Sequence, residues 1–543
     1  MKVNPTLTKF SIGWWTTYFT FKLVLFNLQA IDFSPLYNFG LLCLVAIPSY
    51  YYWLNILKQS IAIPLAIALL YYDSYFPPII TLINQWAQVK QMDDSYIMQL
   101  LLDSLNWDYL LIVFVIICGY LYLRQILRLS LLLITAMAIV SISRTGLHWQ
   151  NVASSTQPLT TSTPSHTQPS VVAEQYPANS NFTSEQINNY LSQFFYEQST
   201  LSSPLNQVDK PNLPPNFDIL LLNICSISWE DLAHSGNLSH PLLKQFDILF
   251  SNFNSATSYS GPAVIRLLRA NCGQQPHNDL FQQAYEQCSL FKQLELLGFK
   301  SEIFMNHNGE FDGFNKHIAN NIGPLSTSVT TADLPAFQYS FDGSLVYDDQ
   351  VVLDRWLKLE PQSPKVSLYN SISIHDGNRL QSKTDDRALS YRQQQARLLD
   401  NLEQFFINLE KSNRNVMVIF VPEHGSAIQA NKFQLSGVRE VPTKGITHVP
   451  VGIKFFGDFQ LASRSQITLT QSTSYLAISQ IIANVISSEL YHNRPTTLEL
   501  LTANTPTTPH VSQTQSTTIV QLNGRQYYSF DNQSWQMYPE NNK

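Results

Sequence analysis

Charge is scarce in this chain of 543 residues. Only 13% are Asp, Glu, Lys or Arg, against 45% hydrophobic. The formal net charge of −6 is mild and gives no basic face, so no nucleic-acid partner is expected. Cysteine is scarce as well, with five in the whole chain. A disulfide-dense scaffold is thereby excluded. No internal repeat is visible. The first apolar run lacks a small-residue cleavage site, so no removable signal peptide is expected.

What is present is unevenly distributed. Five apolar runs crowd residues 1–150: Trp14–Ile31, Tyr37–Leu54, Ile61–Tyr75, Trp107–Tyr122 and Leu127–Ile142. About 20 mostly apolar residues cross a bilayer as a helix. The first run carries Lys22, and the third is short and ends at Pro77-Pro78, so these two are the weakest spans. Lys2, Lys9, Lys58, Arg124 and Arg128 fall on one side of a five-span topology; Asp32, Asp93, Asp94 and Asp103 fall on the other. The excess of basic residues marks the cytoplasmic side. The N-terminus is then cytoplasmic, and everything after the fifth span is exported.

Residues 151–215 are rich in Ser, Thr, Gln and Pro and read as a linker, with a short helix over Ser184–Glu197. From 216 to 500, apolar strands alternate with helical patterns, which predicts an α/β domain with a largely parallel sheet flanked by helices. Asp218–Ile224, Val366–Tyr369, Val416–Val421 and Val449–Phe456 read as strands. Gly261–Ala270, Tyr391–Glu410 and Ser474–Ser488 read as helices. Residues 501–543 form a tail with a possible hairpin turning at Asn523-Gly524. The fold class is therefore an α-helical membrane domain plus an α/β exported domain.

Polar residues gather where strands end. One strand runs into Cys225, another into Glu423-His424, and a third is followed by His375-Asp376. Ligands of open α/β sheets bind outside the carboxyl ends of the strands. Thiolate, carboxylate and imidazole together suit Zn2+. Taken singly, Cys225 is equally a small buried hydrophobe, and Glu423-His424 a loop with a cap or ion pair. Cys272 and Cys288 are close in sequence and could close a short loop in an oxidising compartment, leaving Cys225 free. Ser260 stands before Gly261-Pro262 where an N-cap belongs. It is either only that cap, or a hydroxyl placed to receive a phosphate at a helix N-terminus and to act as a nucleophile beside a metal.

The segments NICSISWEDL, FNSATSYSGPAVIRLLRANCGQ, SIHDGN, VPEHGSA and GVREVPTKGITHVPVGIKFFG together resemble the cellulose phosphoethanolamine transferases of bacterial cellulose synthesis systems. These belong to the alkaline phosphatase and sulfatase superfamily. The resemblance implies an alkaline-phosphatase-like exported domain in the periplasm, anchored in the inner membrane. It implies a Ser260 nucleophile and a Zn2+ held by Cys225, Glu423 and His424 with Ser260 close by. It also implies His375 as acid or base, Arg439 on a phosphoryl oxygen, Tyr259 and His448 lining the pocket, and a Cys272–Cys288 disulfide. The implied donor is phosphatidylethanolamine, the acceptor cellulose, and the partner a cellulose synthase complex. His448 is equally an ordinary residue before a strand, and Arg439 could simply pair with Glu440. Trp535 and Tyr538 could stack on sugar rings or pack within a small hairpin. Two other functions stay open. One is another exported enzyme of the superfamily; a sulfatase is disfavoured because Ser260-Gly261-Pro262-Ala263-Val264 lacks the Arg of its C-x-P-x-R motif. The other is a membrane scaffold for a polysaccharide synthase.

Overall fold

In the computed structural model the described residues are 15–27, 31–47, 51–74, 86, 89–104, 114–115, 118–119, 122, 135, 182–209, 213–324, 326–327, 329–359, 363–380, 387–429, 434 and 436–539. The chain divides into two compact units. One comprises Met1–Pro77, Leu100–Ser170 and Asn431–Gln434; the other comprises Pro78–Gln99, Val171–Ala430 and Leu435–Lys543.

In the first unit, helices span Trp15–Asn27, Pro35–Ala46 and Tyr52–Asp73. The third has 22 mostly apolar residues. At 1.5 Å per residue it is about 33 Å long, enough to cross a bilayer core of roughly 30 Å. Among the described residues it is the one helix both long and apolar enough to do so. This revises two predicted spans. The run Tyr37–Leu54 is split, and its end joins the third helix, which starts nine residues earlier than Ile61. The break falls at Ile47, which precedes Pro48 and has left helical geometry (φ −58°, ψ 119°), as the residue before proline tends to. Lys22, the charge in the first run, is buried and meets Asp73 at 2.7 Å. A charge among apolar helices is tolerated when paired in this way. The predicted spans Trp107–Tyr122 and Leu127–Ile142, and residues 151–181 of the linker, lie outside the described residues apart from isolated positions.

Among its described residues the second unit has fourteen strands. They are β1 (Asp218–Ile224), β2 (Ile248–Asn254), β3 (Lys300–Met305), β4 (Gln338–Tyr339), β5 (Leu345–Val346), β6 (Lys365–Ser371), β7 (Arg379–Leu380), β8 (Val416–Pro422), β9 (His448–Phe456), β10 (Ile467–Leu469), β11 (Val511–Gln513), β12 (Thr518–Leu522), β13 (Arg525–Ser529) and β14 (Gln536–Met537). The main sheet has the order β10-β2-β9-β8-β1-β6-β3. The pairs β1–β6, β1–β8, β3–β6 and β10–β2 are parallel. Strand β9 is antiparallel to both β8 and β2, so the sheet is mostly parallel with one reversed strand.

Every residue of β1 and β8 is buried, as expected for central strands covered on both faces. Alternation splits β1 between two cores. Ile219 and Leu221 join Val264, Leu267 and Ile478 on one side; Leu220 and Leu222 join Leu398, Leu402 and Phe405 on the other. The first side is covered by helices Ser260–Leu268 and Leu476–Ser487, the second by Arg387–Ser412. Each such side chain contributes about 1.5–3 kcal/mol on burial.

Two small sheets complete the unit. One has the order β5-β4-β7; the other, β11-β12-β13-β14, turns at Asn523-Gly524, both at positive φ. The latter packs Val511, Val520 and Tyr527 against Ile187 and Phe194. Those two lie on a helix, Ser184–Thr200, that Thr183 and Gln186 start with a reciprocal cap. Trp535 donates from its indole nitrogen to Asn188 on that helix at 2.7 Å, so it packs against the helix, which neither of its two readings supposed.

Candidate active site

Strands β1 and β8 run parallel, with Ile224 opposite Pro422. Their next residues, Cys225 and Glu423, therefore leave the same sheet edge side by side, and His424 follows. The ligand atoms of Cys225, Glu423 and His424 all lie within 4.8 Å of one another, and all three side chains are fully buried. Cys225 Sγ is 4.0 Å from His424 Nε2, which is 4.0 Å from Glu423 Oε2.

Ser260 arrives from a different element. Tyr259 is extended (φ −129°, ψ 144°) and its carbonyl accepts the first helical bond from Ala263. Tyr259, not Ser260, is therefore the N-cap, which corrects the sequence reading by one residue. The consequence is chemical: the Ser260 hydroxyl caps nothing and faces the cluster instead, 3.5 Å from Cys225 Sγ and 3.4 Å from His424 Nε2. At the next position, a Cβ on Gly261 would stand 3.3 Å from the His317 ring.

The electrostatics show why this cluster is unusual. Burial, then the neighbouring Glu423, push the Cys225 thiol up to about 12. Burial raises Glu423 and lowers His424 well below its usual range, with Arg439 adding to the latter. By themselves these groups are driven to their neutral forms, since burial penalises unpaired charge. Glu423 Oε1 accepts from Asn370 at 2.7 Å, but its Oε2 is buried without a hydrogen-bond partner. His424 Nδ1 is bonded to the Gly425 carbonyl at 2.8 Å, so its lone pair is left on Nε2, toward the cluster. An orphaned carboxylate oxygen, an imidazole lone pair and a thiol converging in one buried place fit a divalent cation with S, N and O donors.

Beside the cluster lies a cavity of about 120 Å³ lined by Ser260, Tyr259, His375 and Arg439. His375 Nδ1 is bonded to the Asp376 carbonyl at 2.7 Å and its Nε2 meets Arg439 Nη2 at 3.3 Å. Burial, then Arg439, hold this imidazole down at about 3, so it is neutral with its lone pair on Nε2. Arg439 also donates to Ser226 Oγ at 3.3 Å. Glu440 turns elsewhere, accepting from the Tyr259 hydroxyl at 2.9 Å and Thr514 at 3.2 Å. His448 is not brought in. It opens β9, donates to the Ser251 carbonyl at 2.7 Å and packs near Trp229, the bland reading of that residue.

Several wall residues escaped the sequence reading. Asn370, one residue before the end of β6, links Glu423 to His307, 2.7 Å from each. The strand-end rule that selected Cys225 and Glu423 applies equally to it. Phe341 stacks on His375 with ring centroids 4.0 Å apart, and Met92 joins the same cavity. No local pattern marks either. A disulfide joins Cys272 and Cys288, and Cys225 is a free thiol.

Comparison with known proteins agrees over nearly the whole chain. The family model for the cellulose biosynthesis protein BcsG C-terminal domain matches residues 171–535, and that for the BcsG N-terminal domain matches residues 15–142. The cellulose biosynthesis protein BcsG of Salmonella typhimurium is 36% identical over 552 residues, covering 97% of this chain and 96% of its own. That of Escherichia coli is 35% identical over 541 residues, with the same coverage. A solved structure of an alkaline phosphatase superfamily protein from Vibrio parahaemolyticus covers 65% of this chain and 91% of its own at 11% identity, with a TM-score of 0.44. By the two family models and the two full-length relatives, this chain belongs to the cellulose biosynthesis protein BcsG family.

Proposed function

We propose that the chain is a Zn2+-dependent phosphoethanolamine transferase. It takes the group from phosphatidylethanolamine onto Ser260 and passes it to glucosyl 6-hydroxyls of cellulose. The observation that carries the reading is the meeting of an uncapping Ser260 hydroxyl with a buried, charge-deficient Cys225, Glu423 and His424. Membership of a family named for cellulose biosynthesis supports the acceptor. The disulfide suits an oxidising compartment, and the helix Tyr52–Asp73 suits an inner-membrane anchor. The periplasmic placement, the five-span topology and a place beside the cellulose synthase complex are part of the same reading.

Cys225, Glu423 and His424 would hold the metal, with Ser260 beside it. Bound there, Zn2+ supplies Lewis acidity that neutralises phosphoryl charge and makes the serine hydroxyl more acidic. Ser260 Oγ attacks phosphorus; the Oγ–P bond forms, the bond from phosphorus to the diacylglycerol oxygen breaks, and the serine proton leaves on diacylglycerol. A glucosyl hydroxyl then attacks the same phosphorus, and its proton returns to Ser260 as the serine ester breaks. Arg439, buried and aimed into the cavity, steadies the phosphoryl oxygens by charge-assisted hydrogen bonds. His375, locked in one tautomer by Asp376, relays each of these protons at Nε2, taking it from the attacking hydroxyl and giving it to the leaving oxygen. Tyr259, tied to Glu440, shapes the wall.

The test is a balance of products. The full-length enzyme with phosphatidylethanolamine vesicles and cello-oligosaccharides is expected to release one diacylglycerol per phosphoethanolamine found on glucan. Diacylglycerol release with unmodified glucan would remove the acceptor assignment; no release would remove the donor.

A further inference from the structure

The cavity beside Ser260 is charged at two places of opposite sign. Arg439 is the one Lys or Arg among the described residues that line it, and it lies with the nucleophile. His375 is neutral there, as is His307, which burial holds down at about 4. Negative charge enters the wall from the turn joining β4 to β5, through Asp342, and at the rim from the exposed Asp312. The field of Asp342 reaches both His375 and His307, so its carboxylate belongs to the cavity electrically as well as by contact.

The turn is built to hold that carboxylate still. Asp342 Oδ1 accepts from the Ser344 N–H at 3.0 Å and the Ser344 hydroxyl at 2.7 Å. Gly343 closes the turn at φ +81° and donates to Ser340, a conformation that favours glycine. A second segment grips the turn from outside. Asp93 N–H donates to the Phe341 carbonyl at 3.0 Å, and the Tyr96 hydroxyl donates to Asp376 at 3.0 Å, beside His375. Next to Asp342, the rings of Phe311 and Phe341 meet edge-on with centroids 4.6 Å apart, which forms an aromatic corner. A carboxylate beside aromatic faces is the setting in which proteins hold organic ammonium ions.

We propose that Asp342, with the Phe311–Phe341 corner, is the subsite that binds the ammonium end of the donor headgroup while Arg439 and Ser260 take its phosphate. The assignment rests on the phosphoethanolamine reading above and sharpens it. The cavity is matched to a zwitterion, and it discriminates against phosphodiesters whose headgroup is neutral or anionic.

Asp342→Asn separates charge from structure, because the amide oxygen still accepts both Ser344 bonds. The full-length enzyme is offered vesicles containing equal amounts of phosphatidylethanolamine and phosphatidylpropanol, whose headgroup has a methyl where the ammonium stands. The two Ser260 adducts are then counted by mass. The wild type is expected to favour the ammonium lipid by roughly ten- to hundredfold, the worth of one hydrogen bond to a charged group. Asp342→Asn is expected to bring the ratio to within about threefold, with Asp342→Glu in between and Phe311→Leu lowering it by a smaller factor. A wild type that selects the ammonium lipid while Asp342→Asn selects it equally well overturns the subsite and leaves the donor reading standing. A wild type that labels the two lipids equally overturns the subsite and leaves phosphatidylethanolamine standing as a donor; one that labels neither overturns the donor reading and the subsite with it. Should Asp342→Asn fail to fold, Asp342→Glu and Phe311→Leu carry the same comparison.

Discussion

Among the described residues, two places bring metal-ligating side chains together, and they differ in burial, in donors and in what those donors already bind. Cys225, Glu423 and His424 are fully buried; His240, Asp400 and Glu403 sit at the surface. In the surface group each donor is already served. His240 Nε2 meets Asp400 at 3.2 Å, its Nδ1 accepts from Leu242, and Glu403 accepts from Gln245 at 2.9 Å. Asp400 is 71% exposed and solvated by water. In the buried group a carboxylate oxygen has no partner and the thiol is pushed up to about 12. Proximity is common to both; unmet demand for positive charge belongs to one. That deficit, and the nucleophile beside it, make the buried group the candidate site.

The comparison can be broken at several points. Ser260→Ala is expected to give the largest effect, a loss of transfer of at least about 10⁴-fold with an unchanged melting temperature, because it removes the atom that forms the covalent bond. Wild-type turnover in that variant would dismiss Ser260 as nucleophile. Next come Glu423→Gln and His424→Ala. Elemental analysis is expected to fall from about one Zn2+ per chain to well below that, with activity lost by roughly 10³-fold or more; full metal retention in both would place the ion elsewhere. His375→Ala is expected to cost on the order of 10²–10⁴ in kcat, and an unchanged pH profile alongside full rate would remove it from proton transfer.

Smaller effects test the buried histidines outside the site. Burial lowers His277 to about 4 and His510 to about 3. A folded-state value below the unfolded one means that the stability each provides is complete above about pH 6.5 and is lost as pH falls toward 4 and 3. Each is worth on the order of a few kcal/mol, His510 more than His277. Both stand beside the tail sheet: the His277 backbone N–H donates to Gln513 Oε1 at 2.9 Å, and the His510 ring meets the Thr447 hydroxyl at 3.0 Å. Denaturant melts at pH 7.5 and 5 are therefore expected to differ by less in His510→Gln than in the wild type, and an equal difference would discard this source. The smallest effect closes the comparison. His240→Ala, at the surface cluster, is expected to leave metal content untouched and shift stability by no more than about 0.5 kcal/mol. Loss of the ion there would reverse the choice between the two clusters.

Strand ends were legible because apolar runs such as DILLLNI and VMVIFV stop abruptly at Cys225 and at Glu423. Buried central strands need continuous apolar residues, so their borders stand out. The helix Arg387–Ser412 was legible through its Leu398–Leu409 stripe, although it extends beyond Tyr391 and Glu410 at both ends. The direction of β9 was not legible, since an apolar strand reads alike in either orientation. The start of the Ser260 helix was misjudged by one residue because Ser is a favoured cap and Tyr is not; backbone geometry at Tyr259 overrode that preference. Asp342, Phe341 and Met92 were missed for another reason. They reach the cavity from segments whose sequence distance from Ser260 carries no periodic signal, and only tertiary packing brings them together. Lys22 looked like an obstacle to a membrane span until Asp73, fifty-one residues away, proved to be its partner.

The most direct measurement is peptide mass analysis of the metal-loaded, full-length enzyme trapped after brief exposure to phosphatidylethanolamine vesicles without glucan. One phosphoethanolamine on the Ser260 peptide, absent from Ser260→Ala and lost when cello-oligosaccharide is added, is the expected result. An unmodified Ser260 in an enzyme that still transfers the group to glucan would contradict the central claim.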